Sequence, residues 1–141
     1  MRATLLLLLA ACVVAGGRQE PTKKLPDVWL DPATKLTWAA ADNGVGVSAA
    51  QAAFYCSNLV LGGRKNWRLP RIEELQHLHG GPDDGNGRHI IGPIHLTGWA
   101  WSSTPGKATG EQWVLDFGDG ARASAVQGDS GLNRALCVRG K

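Results

Sequence analysis

The feature that most restricts how this chain can fold is a pair of cysteines that stand far apart in the sequence. Outside the first fifteen residues, the 141-residue chain has only Cys56 and Cys137. An even pair in an exported chain predicts a disulfide, and closing a loop of about 80 residues is worth about 4–5 kcal/mol through the entropy of the unfolded chain. No CxxC motif is present and no histidine is near either cysteine. A structural disulfide is therefore favoured over a redox or nucleophilic thiol.

The N-terminal residues predict export. Arg2 lies in a short positive start, and residues 5–15 are apolar apart from the thiol of Cys12. This run is too short for a membrane-spanning helix, which needs about 20 residues, and is typical of a secretory signal peptide. Residues 9–12 also resemble a bacterial lipobox with Cys12 as the lipidated residue, but apolar sequence continues beyond it. We therefore expect a signal peptide at 1–15, export to the periplasm, cell envelope or exterior, and membrane attachment only if Cys12 is lipidated.

Composition and charge narrow the class of protein. The chain is 43% hydrophobic and 19% charged, which excludes a disordered chain and a polytopic membrane protein. Its formal net charge of +3 is too small to indicate a nucleic-acid-binding protein. Residues 16–27 contain two prolines and five charged residues without apolar periodicity. We expect a linker there and one folded domain over 28–141.

Two helices are predicted within this domain. Ser48 and Gln51 form a capping box at the start of the first helix, and Gly62-Gly63 ends it. Apolar residues at helical spacing predict its buried face, which consists of Ala49, Ala52, Ala53, Cys56, Leu59 and Val60. The second helix follows Pro70, with an inner face of Ile72, Leu75 and either Leu78 or His79.

The remaining segments predict short strands and a long loop. Strands are expected at 28–30, 36–38, 99–104, 112–117, 121–126 and 134–139, with a glycine-rich loop at 80–98. Trp29 and Trp38 would be partners in the first hairpin, and Trp99 and Trp101 would share one face of a strand. The order of elements predicts an α+β fold with two helices, one small twisted antiparallel sheet and one disulfide.

Several short motifs occur in an order that resembles a bacterial family. They are Trp29-x-Asp31-x-x-Thr34-x-Leu36-x-Trp38, Tyr55-Cys56, Trp67-Arg68-Leu69-Pro70 with Glu74-Leu75, Trp101-Ser102-Ser103-Thr104, Trp113-x-x-x-Phe117-x-x-Gly120 and Cys137-Val138-Arg139. This set covers about 28–140 and resembles the DUF1566 family, the Lcl C-terminal domain, which is named after a bacterial collagen-like adhesin.

The resemblance implies a C-type-lectin-like fold in an exported bacterial protein. It also implies a distant likeness to the formylglycine-generating sulfatase-modifying domain, and in the adhesin the family's domain binds sulfated glycosaminoglycans. The sequence departs from the family where Arg71 follows Pro70, because the family usually has Thr or Ser there as a helix cap. The EPN, QPD and WND triplets of calcium-dependent lectins are absent.

A basic cluster before the second helix is the best candidate for ligand binding. It contains Arg64, Lys65, Arg68 and Arg71, and guanidinium groups pair bidentately with sulfate and carboxylate. Arg88 would extend the positive face. The alternative is a solvated surface, and for Arg68 we favour a structural ion pair or a backbone clamp. The expected binding residues are therefore Arg64, Lys65, Arg71 and Arg88.

The tryptophans offer a second kind of sugar contact, because the CH groups of pyranoses pack on aromatic faces. Core packing is expected for the motif tryptophans on alternating strand faces, which are Trp29, Trp38, Trp67 and Trp101. Trp99 lies outside these motifs and is the candidate for an exposed ligand contact.

No metal, cofactor or catalytic group is expected. The acidic turns 83–87 and 116–120 contain oxygen donors but complete no EF-hand, and turn chemistry explains their composition. The four histidines lack zinc-binding spacing. Ser102, Ser103 and Thr104 have no setting that would activate a nucleophile.

These observations predict an exported, non-enzymatic binding module. Its partner would be an acidic or sulfated polysaccharide or a cell-surface protein. One alternative is an enzyme on the sulfatase-modifying scaffold, which would need free thiols. Another is a purely structural envelope protein.

Overall fold

The computed structural model describes residues 16–17, 24 and 26–141, so the predicted signal peptide, Cys12 and most of the predicted linker lie outside the described residues. The described part contains two helices, α1 (Ala49–Asn58) and α2 (Ile72–Leu78), and nine strands. The strands are β1 (Val28–Leu30), β2 (Thr37–Ala39), β3 (His79–Asp83), β4 (His89–Ile90), β5 (Trp99–Pro105), β6 (Glu111–Leu115), β7 (Arg122–Val126), β8 (Asn133–Arg134) and β9 (Val138–Arg139). The α+β class is confirmed. Among the described residues, neither helix has the length and apolar character that crossing a bilayer requires.

The strands form three sheets in the described residues, where one was expected. Their orders are β1-β2-β9, β3-β4 and β7-β6-β5-β8. All pairs are antiparallel except β5 with β8. The single strand expected at 134–139 is wrong, because the chain leaves β5 after Arg134 and joins β2 at Val138. The residues between these two pairings cross from one sheet to another and are buried.

The loop expected at 80–98 contains a hairpin, which is a second correction. Strands β3 and β4 pair with a register shift between His79 and Asp83, so the sequence Gly80-Gly81-Pro82 fits despite its low strand propensity. A Cβ atom at Gly81 would collide with the backbone of Ile90. Glycine is therefore required there for the two strands to approach each other.

The two helices pack on opposite faces of the four-stranded sheet. One core cluster joins α2 to one face and to Val138 of β9, and the second joins α1 to the other face and to Cys137, which precedes β9. The first includes Ile72, Leu75, Leu78, Leu115 and Phe117, and the second includes Ala49, Ala52, Cys56, Trp101, Val114 and Cys137. The alternation predicted for β5 and β6 is confirmed, because Trp99 and Trp101 belong to the second cluster and Ala100 to the first, whereas Leu115 belongs to the first cluster and Val114 to the second.

The predicted Cys56–Cys137 disulfide is present and buried. It joins α1 to the residue before β9. The predicted capping box is also present, since Ser48 Oγ accepts from the N–H of Gln51 and Gln51 Oε1 accepts from the N–H of Ser48. The predicted burial of Val60 is wrong, because α1 ends at Asn58 and Val60 is 60% exposed. Ala53, also expected to be buried, is exposed.

Candidate functional site

The basic segment before α2 runs beside β9. Arg68 and Val138 exchange both backbone hydrogen bonds, at 2.8 and 2.9 Å. This antiparallel bridge places the segment next to residues that are about 70 positions later in the chain. The guanidinium carbon of Arg139 lies 6.0 Å from the centre of the Trp67 ring, and a guanidinium nitrogen of Arg68 lies 3.5 Å from the carbonyl oxygen of Lys141.

The bridge therefore forms a positively charged surface that we call the basic edge, made of Arg64, Lys65, Arg139 and Lys141. Arg139 is half-buried and the other three are exposed. Within the described residues, no carboxylate lies within 4.0 Å of any of these four side chains. The sequence has no Asp or Glu between Asp42 and Glu73, so the surrounding segment adds no negative charge.

Arg68 has the structural role expected of it. Its two terminal nitrogens lie 2.7 and 2.9 Å from the two carboxylate oxygens of Glu74, and it also donates to the carbonyl oxygens of Leu69 and Gly140. The hydrogen bond with Glu74 raises the pKa of Arg68 despite burial. Burial raises the pKa of Glu74, but the hydrogen bonds from Arg68 and from the backbone of Arg71 outweigh it, so the net pKa is lowered. The charge of Arg68 is thus neutralised within the fold.

A groove of ≈ 720 Å³ lies between α1 and the segment 67–71, and we call it the α1 groove. Its apolar lining includes Ala49 and Ala53 of α1 together with Trp67 and Leu69. The exposure of Ala53, unexpected for a core position, follows from its place on this wall. Polar groups surround the apolar lining, and they are Ser57, Arg71, Ser103, Gln112 and Gln127.

Two glutamines form an ordered pair at one end of the α1 groove. The side-chain nitrogen of Gln112 donates to the carbonyl oxygen of Ser102 at 2.8 Å. The nitrogen of Gln127 in turn donates to the side-chain oxygen of Gln112 at 3.0 Å. The orientation of both amides is fixed by this chain. The side-chain oxygen of Gln127 and the second N–H of that amide then have no hydrogen-bond partner among the described residues.

Backbone contacts hold both walls of the α1 groove to the four-stranded sheet. The N–H of Ala49 donates to the carbonyl oxygen of Gln127 at 2.8 Å, and the N–H of Ser103 donates to that of Pro70 at 2.8 Å. The N–H of Ile72 donates to Thr104 Oγ1 at 3.0 Å. This hydroxyl replaces the helix cap that Arg71 cannot provide. The two walls of the groove are therefore held in position by contacts within the fold itself.

The structure brings only some of the predicted binding residues together. Arg64, Lys65 and Arg71 lie along one segment, with the first two on the basic edge and the third in the α1 groove. Arg88 lies between β3 and β4, beyond the opposite end of α2. Trp99, at the start of β5, is half-buried against the second core cluster and does not line the α1 groove.

The residues that sequence reasoning missed come from distant parts of the chain. Arg139 and Lys141 reach the basic edge through the bridge with Arg68, and Gln112 and Gln127 reach the groove through the pairing of β6 with β7. For Arg139 and Lys141, the motif Cys137-Val138-Arg139 was the sequence feature that could have indicated their place. Nothing in the local sequence marked the two glutamines.

The acidic turn between β3 and β4 follows turn chemistry. Asp83 accepts hydrogen bonds from the N–H groups of Gly85 and Gly87, which lower its pKa. Asp84 accepts from the N–H groups of Asn86 and Arg88. Over the described part of the chain, no three His, Cys, Asp or Glu side chains converge in a way that would hold a metal ion.

A second aromatic position lies on the other face of the four-stranded sheet. The Trp113 ring has the Arg122 guanidinium carbon at 4.4 Å and the Lys107 ammonium at 5.8 Å from its centre. Trp113 packs against the cluster that contains α2. Lys107 and Arg122 are therefore a pair of exposed cations away from the α1 groove.

Comparison with known families supports the resemblance in the motifs. The family model of the Lcl C-terminal domain matches residues 27–139. No curated protein matches the chain in sequence.

Proposed function

The chain belongs to the Lcl C-terminal domain family, and from this premise we propose that it is an exported, non-enzymatic module that binds acidic or sulfated polysaccharides. The observation that carries the proposal is the basic edge, where four cations stand without a carboxylate partner among the described residues. The adhesin that the sequence motifs resemble, which binds sulfated glycosaminoglycans, supports the same ligand class. We also propose a C-type-lectin-like scaffold, on the strength of that resemblance.

The strength of surface charge pairs favours a polymer over a small anion. One exposed ion pair contributes about 0.2–1 kcal/mol, which is far below the 4.1 kcal/mol that corresponds to a dissociation constant of about 1 mM. A polyanion can engage several cations at once, and each further contact then forms at high effective concentration. A chain of sulfated or carboxylated sugars has the required repeat of negative charge.

Affinity chromatography tests this proposal. The protein should be retained on immobilised heparin or dextran sulfate at about 0.15 M salt, where the screening length is about 8 Å. The double variant Arg64→Glu/Lys65→Glu should elute at clearly lower salt. Lys107→Glu/Arg122→Glu, which changes the net charge by the same amount on the other face of the sheet, should elute close to wild type.

Two results would sink the proposal. If the wild-type protein flows through both columns at about 0.15 M salt, the polysaccharide function is wrong. Equal loss of retention in the two double variants means that binding follows net charge and not the basic edge.

An enzyme with thiol chemistry is the other class that the motifs raised. Such a reaction needs free cysteines in a cleft, whereas the two cysteines within the described residues are bonded to each other. Titration of free thiols in the unreduced, native protein distinguishes the two functions, since the binding module should show none from Cys56 or Cys137. If the protein instead binds a surface protein or has a purely structural role, the Arg64→Glu/Lys65→Glu variant should capture the same partner as the wild type.

A further inference from the structure

We propose that the α1 groove is a subsite for one negatively charged sugar residue, in which Arg71 binds the carboxylate or sulfate and the Gln112–Gln127 pair binds the hydroxyl groups. This inference rests on the proposed function and assigns the part of the ligand that the basic edge does not explain. The groove volume of ≈ 720 Å³ lies within the range of about 300–1,000 Å³ found for small-molecule sites.

The charge of the groove favours a single anionic group. Arg68 and Arg71 both line it, but Arg68 is held bidentately by Glu74. The guanidinium of Arg71 is exposed and has no carboxylate within 4.0 Å in the described part of the chain. The groove thus offers one available fork of N–H donors, the geometry that matches a carboxylate or a sulfate.

The glutamine pair offers hydrogen bonds to uncharged hydroxyl groups, whereas Arg71 offers a charge. Because Ser102 fixes the amide of Gln112 and Gln112 fixes that of Gln127, Gln127 presents one acceptor and one donor in a set orientation. A sugar hydroxyl both donates and accepts, so two neighbouring hydroxyls complement this amide. A ligand without hydroxyl groups would leave these amide groups unpaired, at a cost in binding.

The apolar lining suits the carbon skeleton of a sugar. Ala50, Ala53 and Pro105 are the exposed apolar residues of the lining, and pyranose CH groups can pack against them. Trp67 is only 3% exposed, so its ring face is open neither to a sugar nor to a stacked base, and aromatic stacking of bases is the contact that single-stranded nucleic acids require. The lining therefore favours an anionic sugar over a nucleotide.

The position of the groove connects it with the basic edge. The segment from Arg64 to Arg71 passes from one to the other, and Trp67 contributes to both, since its ring lies near Arg139 and lines the groove. The seven residue steps would span at most about 23 Å if fully extended at about 3.3 Å each, and the left-handed backbone at Asn66, with φ 64°, shortens this distance. One polysaccharide chain can therefore occupy the α1 groove and the basic edge together.

The test is a titration of ¹⁵N-labelled protein followed by nuclear magnetic resonance, with two probes of different charge chemistry. These are an oligogalacturonate, which carries carboxylates, and a heparin oligosaccharide, which carries sulfates. The side-chain amide signals of Gln112 and Gln127 should shift with at least one probe. The indole signal of Trp67 is not a marker of the groove, because its N–H donates to the carbonyl oxygen of Arg64 on the basic edge at 3.0 Å. The indole signal of Trp113, on the other face of the sheet, should stay unchanged.

Substitution of Arg71 then separates a specific subsite from general attraction. Arg71→Gln should weaken binding of the active probe by about tenfold or more, since a hydrogen bond between charged groups is lost, and Lys107→Gln should leave it within about twofold. The Arg71 side chain makes no hydrogen bond among the described residues, so the variant should fold. The fully methyl-esterified oligogalacturonate should bind less well than the free acid if the carboxylate is the group recognised.

The outcomes distinguish this inference from the function on which it rests. If polysaccharide retention depends on Arg64 and Lys65 while the groove signals do not move, the proposed function stands and the subsite is wrong. A second outcome is that the groove signals shift, that Arg71→Gln abolishes the shift, and that Arg64→Glu/Lys65→Glu does not change column retention. In that case the subsite stands and the role of the basic edge is wrong. Equal affinities of wild type and Arg71→Gln would overturn the subsite.

Discussion

Replacement of Glu74 by glutamine should remove much of the support of the segment before α2. The Glu74 carboxylate accepts two hydrogen bonds from Arg68 and a third, at 2.8 Å, from the N–H of Arg71. Glutamine keeps one oxygen, but its NH₂ group replaces the second acceptor and faces a donor of Arg68. The variant therefore loses one acceptor and leaves the charge of Arg68 without its partner.

The expected loss of stability is about 2 kcal/mol. A hydrogen bond to a charged group contributes about 1.5–3 kcal/mol, and breaking a fully buried ion pair costs about 3–5 kcal/mol. The Glu74 side chain is 13% exposed and that of Arg68 is 33% exposed, so water partly replaces the lost partner and the lower range applies. For a domain of this size, about 2 kcal/mol corresponds to a decrease in Tm of about 8 °C.

The loss should depend on pH. The net pKa of Glu74 is lowered in the folded protein, so its ionised form stabilises the fold at neutral pH, and this contribution disappears as the pH falls through the folded pKa. Wild-type Glu74 is then protonated and resembles glutamine in charge. The difference in unfolding free energy between wild type and Glu74→Gln should be largest at pH 7 and should shrink below about pH 4, near the ordinary pKa of glutamate.

Urea unfolding with the disulfide intact, followed by tryptophan fluorescence at pH 7 and about pH 3, measures this difference. Glu73→Gln is the matched control, because Glu73 lies in the same turn of α2 but is exposed and makes no ion pair among the described residues. It should cost about 0.5 kcal/mol through the helix dipole. Equal losses in the two variants, or a Glu74→Gln deficit that is the same at both pH values, would refute the reasoning.

Three other substitutions or treatments test the fold by the same unfolding assay. Thr104→Val should cost about 1 kcal/mol because the cap of α2 is lost, and Thr104→Ser should cost clearly less; equal losses would argue against the cap. Gly81→Ala should destabilise by about 1–3 kcal/mol through its collision with β4, whereas Gly128→Ala, with open space around its Cβ position, should be neutral. Reduction of Cys56–Cys137 should lower the unfolding free energy by about 4–5 kcal/mol, and an unchanged urea midpoint in reductant would contradict the disulfide.

Local signals in the sequence predicted the elements whose partners are close in the chain. The capping box of Ser48 with Gln51 and the pairing of Trp29 with Trp38 each depend on residues within about ten positions, and both are present. Prediction failed at β3 and at the split between β8 and β9. Strands β3 and β8 have weak intrinsic propensity, and all three strands form where another part of the fold offers a pairing edge, which a single sequence does not reveal.

The same division between local and distant contacts runs through the candidate site, and the disulfide explains how the two parts are joined. Cys56 lies on the buried face of α1, between Ala53 and Ser57 of the groove wall, and Cys137 directly precedes Val138, which pairs with Arg68. One wall of the α1 groove is thus linked covalently to the strand that aligns the other wall. The cysteine spacing predicted this link without showing that it joins α1 to the strand beside Arg68, because the bridge between Arg68 and Val138 arises only in the folded chain. A basic segment that alone would be a solvated loop is thereby held against a strand that adds Arg139, and this arrangement produces the basic edge on which the proposed binding of an extended anionic ligand depends.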